Sequence, residues 1–165
     1  MASTPSDALL AASLDSWDRN STIAVNRLRA FPHDALERRP TPTSPSIGGV
    51  FMQMPVCRLI FVDEAAPESA TPVPAGEWRG ERNRDRMAQW LSESAQTVRA
   101  AVVGRLQSER PMERRYDPPM LLLQHLIWPV GYHHGQIKLA FKLAGQPLAD
   151  EAIGSVTWDV WMATA

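Results

Sequence analysis

The densest group of polar and titratable side chains in the sequence is formed by Tyr132, His133, His134 and Gln136. Side chains of this kind can donate protons or bind a ligand, so any chemical site of the chain is expected here. Each residue also has an ordinary structural explanation. A single histidine that faces an interior is usually hydrogen-bonded within the core, and a tyrosine usually places its hydroxyl at the surface.

These residues lie in a segment with clear signals for the start and the end of a helix. Asp117 is a suitable N-cap, Pro118 suits the first helical position, and Gly145 suits a left-handed C-cap. The segment is therefore predicted to form one helix of roughly 27 residues, whose buried line passes through Pro129 and His133. Because proline lacks the amide proton and clashes with the preceding turn, the helix is predicted to bend at Pro129 and to open a recess beside His133.

Three earlier segments repeat apolar residues with the same helical period. They cover roughly 4–31, 45–63 and 87–106, with Thr4 and Ser44 as the predicted caps of the first two. The predicted seam of the first segment contains Leu10, Leu14, Trp17, Ser21, Ala24, Leu28 and Phe31. The serine in this seam is either a tolerated small residue or a polar group that faces a cavity.

The connections between the segments indicate how the helices are arranged. A short connection after the first segment predicts that the first two helices are antiparallel neighbours, whereas about 17 residues between the second and third permit a crossover that leaves these two parallel. A shorter C-terminal segment that contains Trp158 and Trp161 is predicted to add one more helix. The sequence therefore predicts an all-α fold, a four-helix bundle with a short extra C-terminal helix, in a single domain over 1–165.

Composition and charge argue against several classes of function. At 165 residues with 44% hydrophobic content, the chain can build one substantial core. A formal net charge of -1 does not supply the basic field that nucleic-acid binding requires. Cys57 is the single cysteine, so no intrachain disulfide can form. No apolar run approaches the roughly 18 residues of a membrane span and the N-terminus lacks the basic segment of a signal peptide, so the cytoplasm is the expected location.

Several motifs carry a resemblance to a known family. HHGQIKLAFKLAG, preceded by LLLQHLIW and followed by TWDVWM, together with SIGGVFMQMPVCR in the second segment, resembles the DinB superfamily of bacterial four-helix proteins. The resemblance implies an up-down-down-up bundle with the long crossover between helices two and three, and a homodimer. Characterised members include metal-dependent thiol transferases, a maleylpyruvate isomerase and metal-dependent hydrolases.

The resemblance also implies where a metal would be bound. The family holds a divalent metal with one histidine on helix two and two histidines four residues apart on helix four, and these positions correspond to Gln53, Pro129 and His133 here. An amide oxygen is a weak ligand for zinc or nickel, and proline offers none. His125 lies about 12 Å before His133 along the helix, and His134 is rotated by about 100° and is expected to point away. Gln53 and His133 are therefore remnant metal positions, and no cofactor is expected.

Three hypotheses of function follow from these residues. The first is a metal-dependent thiol transferase or hydrolase that acts on a small molecule, with zinc or nickel at His133. The second, which we favour, is a degenerate member without metal that keeps a small-molecule pocket. The third is a structural or regulatory homodimer, for which the exposed Trp158 and Trp161 would supply the partner surface. The predicted pocket contains Trp17, Gln53, Trp128, Pro129, Tyr132 and His133.

Overall fold

The computed structural model describes residues 5–114 and 116–162, and over these ranges the chain is all-helical, without a strand. The predicted cap Thr4 lies outside the described residues. The long helices are α1 (Pro5–Ala30), α2 (Ile47–Ala65), α3 (Arg84–Gln107) and α4 (Met120–Leu143). Two short helices follow, α5 (Asp150–Gly154) and α6 (Trp158–Met162), where the sequence predicted one. Turns of 3-10 helix occur at His33–Glu37, Pro67–Ser69 and Glu77–Gly80.

Helix α2 begins two residues later than the sequence predicted. Its N-cap is Ser46, whose hydroxyl accepts a hydrogen bond from the amide of Gly49 at 3.1 Å. The hydroxyl of Ser44, the predicted cap, instead lies 2.7 Å from the hydroxyl of Thr41. A serine in either position can cap a helix, and the hydrogen bonds of the preceding turn decide which of them does so.

Helix α4 ends as predicted but begins later. Its N-cap is Pro119, because the ring of this second proline disfavours helical geometry at Pro118. At the other end Gly145 adopts a φ of 71°, and the amide of Gln146 donates to the carbonyl of Phe141 at 3.1 Å. This is the Schellman arrangement that a glycine after a helix favours. The helix is continuous through Pro129, and the bend proposed there stays a prediction.

Two apolar clusters fill the interior between the long helices. The first cluster contains residues from the C-terminal parts of α1 and α4 and from the N-terminal parts of α2 and α3. The second cluster contains residues from the N-terminal parts of α1 and α4 and from the C-terminal parts of α2 and α3. The predicted seam of α1 is buried from Leu14 to Phe31, which confirms that part of the sequence reading. The first cluster includes Leu28, Phe31, Phe51, Met87, Ile137 and Phe141, and the second includes Trp17, Val62, Val98, Val102, Leu122 and Leu126.

On each long helix, a polar residue that faces the interior lies between the members of the two clusters. These residues are Ser21 on α1, Arg58 on α2, Ser94 on α3 and His134 on α4. The first three are 8%, 2% and 2% exposed, and the Nε2 atom of His134 is buried. We call these four residues the polar layer.

Helix α3 is packed closely against both α1 and α2, and α4 packs against all three. The sequence predicted that α1 and α2 are direct neighbours, but they are not among the closely packed pairs of the described residues. The connecting turn His33–Glu37 packs against α2 instead, and the amide of Ile47 donates to the carbonyl of Arg38 at 2.9 Å. Within 5–114 and 116–162, no helix is both long enough and apolar enough to cross a membrane.

Candidate functional site

The residues at the predicted metal positions do not fit a metal ion. Gln53 lines a cleft of about 260 Å³ together with Trp78 and Arg79, and His133 is not part of that cleft. The Nδ1 atom of His133 lies 2.9 Å from the Oε1 atom of Gln136, one turn further along α4. Among the residues that the structure describes, no three histidine, cysteine, aspartate or glutamate side chains are close enough to hold a metal together.

The six residues of the predicted pocket do not line one common cleft. Trp128 and Tyr132 are 71% and 56% exposed, and their rings stack on the outer face of α4 at a centroid distance of 6.0 Å. The ring of His133 contacts Tyr132 at 5.7 Å, so the α4 part of the set does come together. Trp17 lies elsewhere, fully buried, with its indole N–H donating to the carbonyl of Ala95 at 3.0 Å.

On α4, the histidine that reaches the core is His134. The buried line of the helix passes through Val130 and Ile137. His134 lies four positions after Val130 and three before Ile137, so it shares their face of the helix. The sequence reading placed this line one residue earlier, through Pro129 and His133, so its expectation that His134 points away was wrong. The structure assigns the inward position to His134.

His134 is neutral at physiological pH. Its pKa is lowered to about 3, first by burial and then by electrostatic interaction with Arg27, His133 and Arg58. Its Nε2 atom is buried and has no hydrogen-bond partner among the described residues. A neutral imidazole with a free ring nitrogen can therefore donate or accept one further hydrogen bond in the core.

Arg58 is the most deeply buried charge of the site. Its Nη1 atom donates to the carbonyl of Leu91 at 3.0 Å and to the hydroxyl of Ser94 at 3.4 Å. The guanidinium also lies 4.9 Å from the ring centroid of Trp17. Its Nε and Nη2 atoms are buried and have no partner within the described part of the chain. Burial alone lowers the pKa of Arg58 to about 10, so the side chain stays charged at neutral pH.

Arg27 is a second buried charge close to His134. It is 4% exposed, and its Nε and Nη2 atoms are buried without a partner among residues 5–114 and 116–162. Burial lowers its pKa to about 10. Arg105, by contrast, is equally inaccessible at 2% but pairs with Glu68 through bonds of 2.7 and 2.9 Å. Unpaired buried charges are expensive in free energy, so this pair of arginines requires an explanation.

The sequence itself contains a signal for the inward position of Arg58. The buried face of α2 includes Phe51, Pro55, Val62 and Ala65, which are spaced by four, seven and three residues. Arg58 lies three residues after Pro55 and four before Val62, so it falls on the same face. A charged residue in the middle of an apolar stripe is rare unless it has a partner or a function. The second-segment stripe was instead predicted to run through Cys57, which is only half-buried.

A cleft lies between α2 and α3, and its lining includes Pro55, Val56 and Leu59 on either side of Arg58 but not Arg58 itself. Its volume is about 650 Å³, and residues of the connection from 69 to 74 also line it. Ser94 lines this cleft although it is 2% exposed, so its hydroxyl marks the inner end. The other lining residues are of two kinds: apolar ones, which are Pro55, Val56, Leu59, Pro72, Pro74, Trp90 and Ala100, and polar ones, which are Ser69, Thr71, Glu93, Gln96 and Thr97.

Ser21 of the polar layer faces a second cleft of about 320 Å³ between α1 and α3. Its hydroxyl is buried and has no partner among the described residues.

Comparison with known proteins adds no relative. No family model matches the chain, and no curated protein or solved structure is significantly similar to it. The resemblance to the DinB superfamily rests on the motifs given above and stays a prediction.

Proposed function

We propose that the chain is a DinB-like protein that lacks the three-histidine metal site and binds a small organic molecule in the cleft between α2 and α3. The observation that carries this proposal is the cleft itself, with a volume of about 650 Å³, a lining that is about half apolar, and the buried hydroxyl of Ser94 at its inner end. Ligand sites are typically concave, mostly apolar and about 300–1,000 Å³ in volume, with few polar groups that fix orientation.

The packing of the helices supports the family's up-down-down-up bundle. On α2, residues 47–54 contribute to the first apolar cluster and 62–65 to the second. On α3, residues 87–91 and 95–102 follow the same order, so the two helices run in the same direction. Helices α1 and α4 meet the clusters in the opposite order and run the other way. Such a topology needs a long crossover between α2 and α3, and the connection from 66 to 83 supplies it.

The alternative function, a metal-dependent transferase or hydrolase, has no specific observation in its favour. The helix-two metal position that the resemblance implies is Gln53, and Gln53 lines a cleft that does not include His133. We therefore propose that ligand binding does not depend on a metal, and we derive no reaction step through one.

The test uses a neutral fluorescent probe, N-phenylnaphthylamine, whose emission rises when it enters an apolar site. Trp90 lines the cleft, so binding should also quench part of the tryptophan emission. Ala100→Trp would occupy part of the cleft and is expected to weaken both signals. Ala11→Trp adds the same side chain at an exposed position of α1 and should leave them unchanged. Equal affinity for the probe in the wild-type protein and in Ala100→Trp, or loss of binding after treatment with a chelator, would contradict the proposal.

A further inference from the structure

The polar layer and the neighbouring Arg27 carry positive charge that no carboxylate in the described part of the chain neutralises. Arg27 and Arg58 are 4% and 2% exposed, and each keeps two buried N–H-bearing atoms without a partner. No carboxylate pairs with either side chain among the described residues, whereas Arg82 pairs with Glu37 and Arg105 with Glu68. Within the described residues the chain provides counter-ions for Arg82 and Arg105, but not for Arg27, Arg58 or Arg84, and of these three Arg58 is the one that contacts Ser94.

We propose that the ligand of the α2–α3 cleft is an organic anion whose acid group pairs with Arg58, an inference that rests on the proposed function. An oxyanion such as a carboxylate, sulfonate or phosphate matches the fork of guanidinium N–H groups, and the resulting charge-assisted hydrogen bonds are among the strongest in proteins. The apolar residues of the lining then select a hydrophobic body attached to that acid group, and the exposed carboxylate of Glu93, which also lines the cleft, disfavours an acid group anywhere but at the inner end.

Ser94 connects the cleft to the charge. Its hydroxyl donates to the carbonyl of Leu91 at 3.1 Å and accepts from the Nη1 atom of Arg58 at 3.4 Å. The second of these bonds is long for a charge-assisted contact, which is normally 2.7–2.9 Å. A ligand oxygen at the inner end of the cleft can replace it without leaving Ser94 unsatisfied, because the serine retains its bond to Leu91.

The other groups of the layer favour an anion over a cation or a neutral ligand. Arg27 adds a second positive charge near His134, and the low dielectric of the core strengthens the attraction that both arginines exert on an anion. His134 is neutral and offers a ring nitrogen that can donate or accept. A cationic ligand would meet two like charges, and a neutral ligand would leave both of them uncompensated.

The experiment compares two probes with the same apolar body. Anilinonaphthalenesulfonate carries one sulfonate, and N-phenylnaphthylamine is its neutral parent. We expect the wild-type protein to bind the sulfonate at least about tenfold more tightly than the parent, since one charge-assisted pair is worth at least that factor. Arg58→Met should remove this preference and leave the affinity for the neutral probe unchanged. The matched control is Arg99→Met, which removes the same charge from an exposed position on α3 and should keep the preference.

The outcomes separate the two proposals. If neither probe enters the cleft, the proposed function fails. If both bind with equal affinity, the cleft binds small molecules but the charge inference is wrong. If the preference for the sulfonate persists in Arg58→Met, the sulfonate is attracted by another charge and the inference is likewise wrong.

A second pair of variants keeps the test decisive if Arg58→Met does not fold. Arg58→Lys retains the charge and should retain part of the preference, whereas Arg58→Gln should lose it. The indole N–H of Trp17 offers an independent reading, because the guanidinium lies 4.9 Å from its ring centroid. Its resonance in a proton–nitrogen correlation spectrum should move saturably with the sulfonate probe in the wild-type protein and not in Arg58→Gln. An unmoved Trp17 resonance in the wild-type protein would place the sulfonate away from Arg58.

Discussion

Without a bound anion, the charge of Arg58 should contribute little to the stability of the fold. Burial lowers the pKa of Arg58 from an ordinary value of about 12.5 to about 10, which corresponds to roughly 3 kcal/mol against the charged side chain. Two contacts act in the opposite direction. The cation–π contact with Trp17 contributes about 1–2 kcal/mol, and the hydrogen bond to the carbonyl of Leu91 contributes about 1–2 kcal/mol. We therefore expect Arg58→Met to change the free energy of unfolding by no more than about 1 kcal/mol.

Arg105→Met is the matched comparison, because both arginines are 2% exposed. Arg105 forms two bonds with the carboxylate of Glu68, and its Nη1 atom also donates to the carbonyl of Pro111. Removing one member of a buried ion pair costs about 3–5 kcal/mol, and the 43% exposure of Glu68 places this case at the lower end. The expected loss of stability is about 2–3 kcal/mol.

Urea denaturation followed by circular dichroism measures both changes. With a slope of about 2 kcal/mol per molar urea, Arg105→Met should lower the midpoint by about 1–1.5 M, and Arg58→Met should shift it by less than about 0.5 M. The measurements must be made in chloride buffer without sulfate or phosphate, since an oxyanion bound at Arg58 would stabilise the wild-type protein. A loss of 2 kcal/mol or more in Arg58→Met, about that of the paired Arg105, would show that Arg58 is already neutralised in the fold, and the reasoning about an uncompensated charge would be refuted.

Three further predictions concern assembly, helix termini and the single thiol. By resemblance to the DinB superfamily the chain should form a homodimer at micromolar concentration. If the exposed aromatic face of α4 forms the interface, Trp128→Glu should give a monomer in sedimentation equilibrium and Trp158→Glu should not; the reverse result would assign the interface to α6. Gly145→Ala should lower the free energy of unfolding by about 1 kcal/mol because of its positive φ, whereas Gly135→Ala, with open space around its Cβ position, should raise it by about 0.5–1 kcal/mol; thermal unfolding of both variants checks the opposite signs. Burial raises the pKa of Cys57, so its alkylation near pH 8 should be slower in the folded than in the urea-unfolded chain. The free energy of unfolding should also fall as pH rises above about 8.5, because the unfolded chain loses the thiol proton first. Equal alkylation rates in the folded and unfolded chain would contradict the raised pKa.

The helical character of the chain could be read from local patterns alone. Apolar residues at helical spacing predicted the buried seam of α1 from Leu14 to Phe31, and the glycine after the last apolar turn predicted the end of α4 at Gly145. Both properties depend on residues a few positions apart, which one short segment contains. The prolines at 118 and 119 show the limit, since their mutual steric effect moved the start of α4 although each is acceptable at the first turn.

The identity of the site was decided by tertiary structure. Adjacent helical residues differ by about 100° in direction, so an error of one position in the buried line exchanged His133 for His134. Which of them lies inside depends on how α4 is rotated against its neighbours, and that rotation is set by packing against three other helices. The sequence could place Arg58 on an apolar stripe, but only the fold determines whether a carboxylate reaches it. Arg105 pairs with Glu68, which is 37 positions away in the sequence, whereas Arg58 contacts only neutral oxygens and an aromatic ring. Charge compensation is a long-range property of the fold, and it is therefore the property that local sequence patterns specify least.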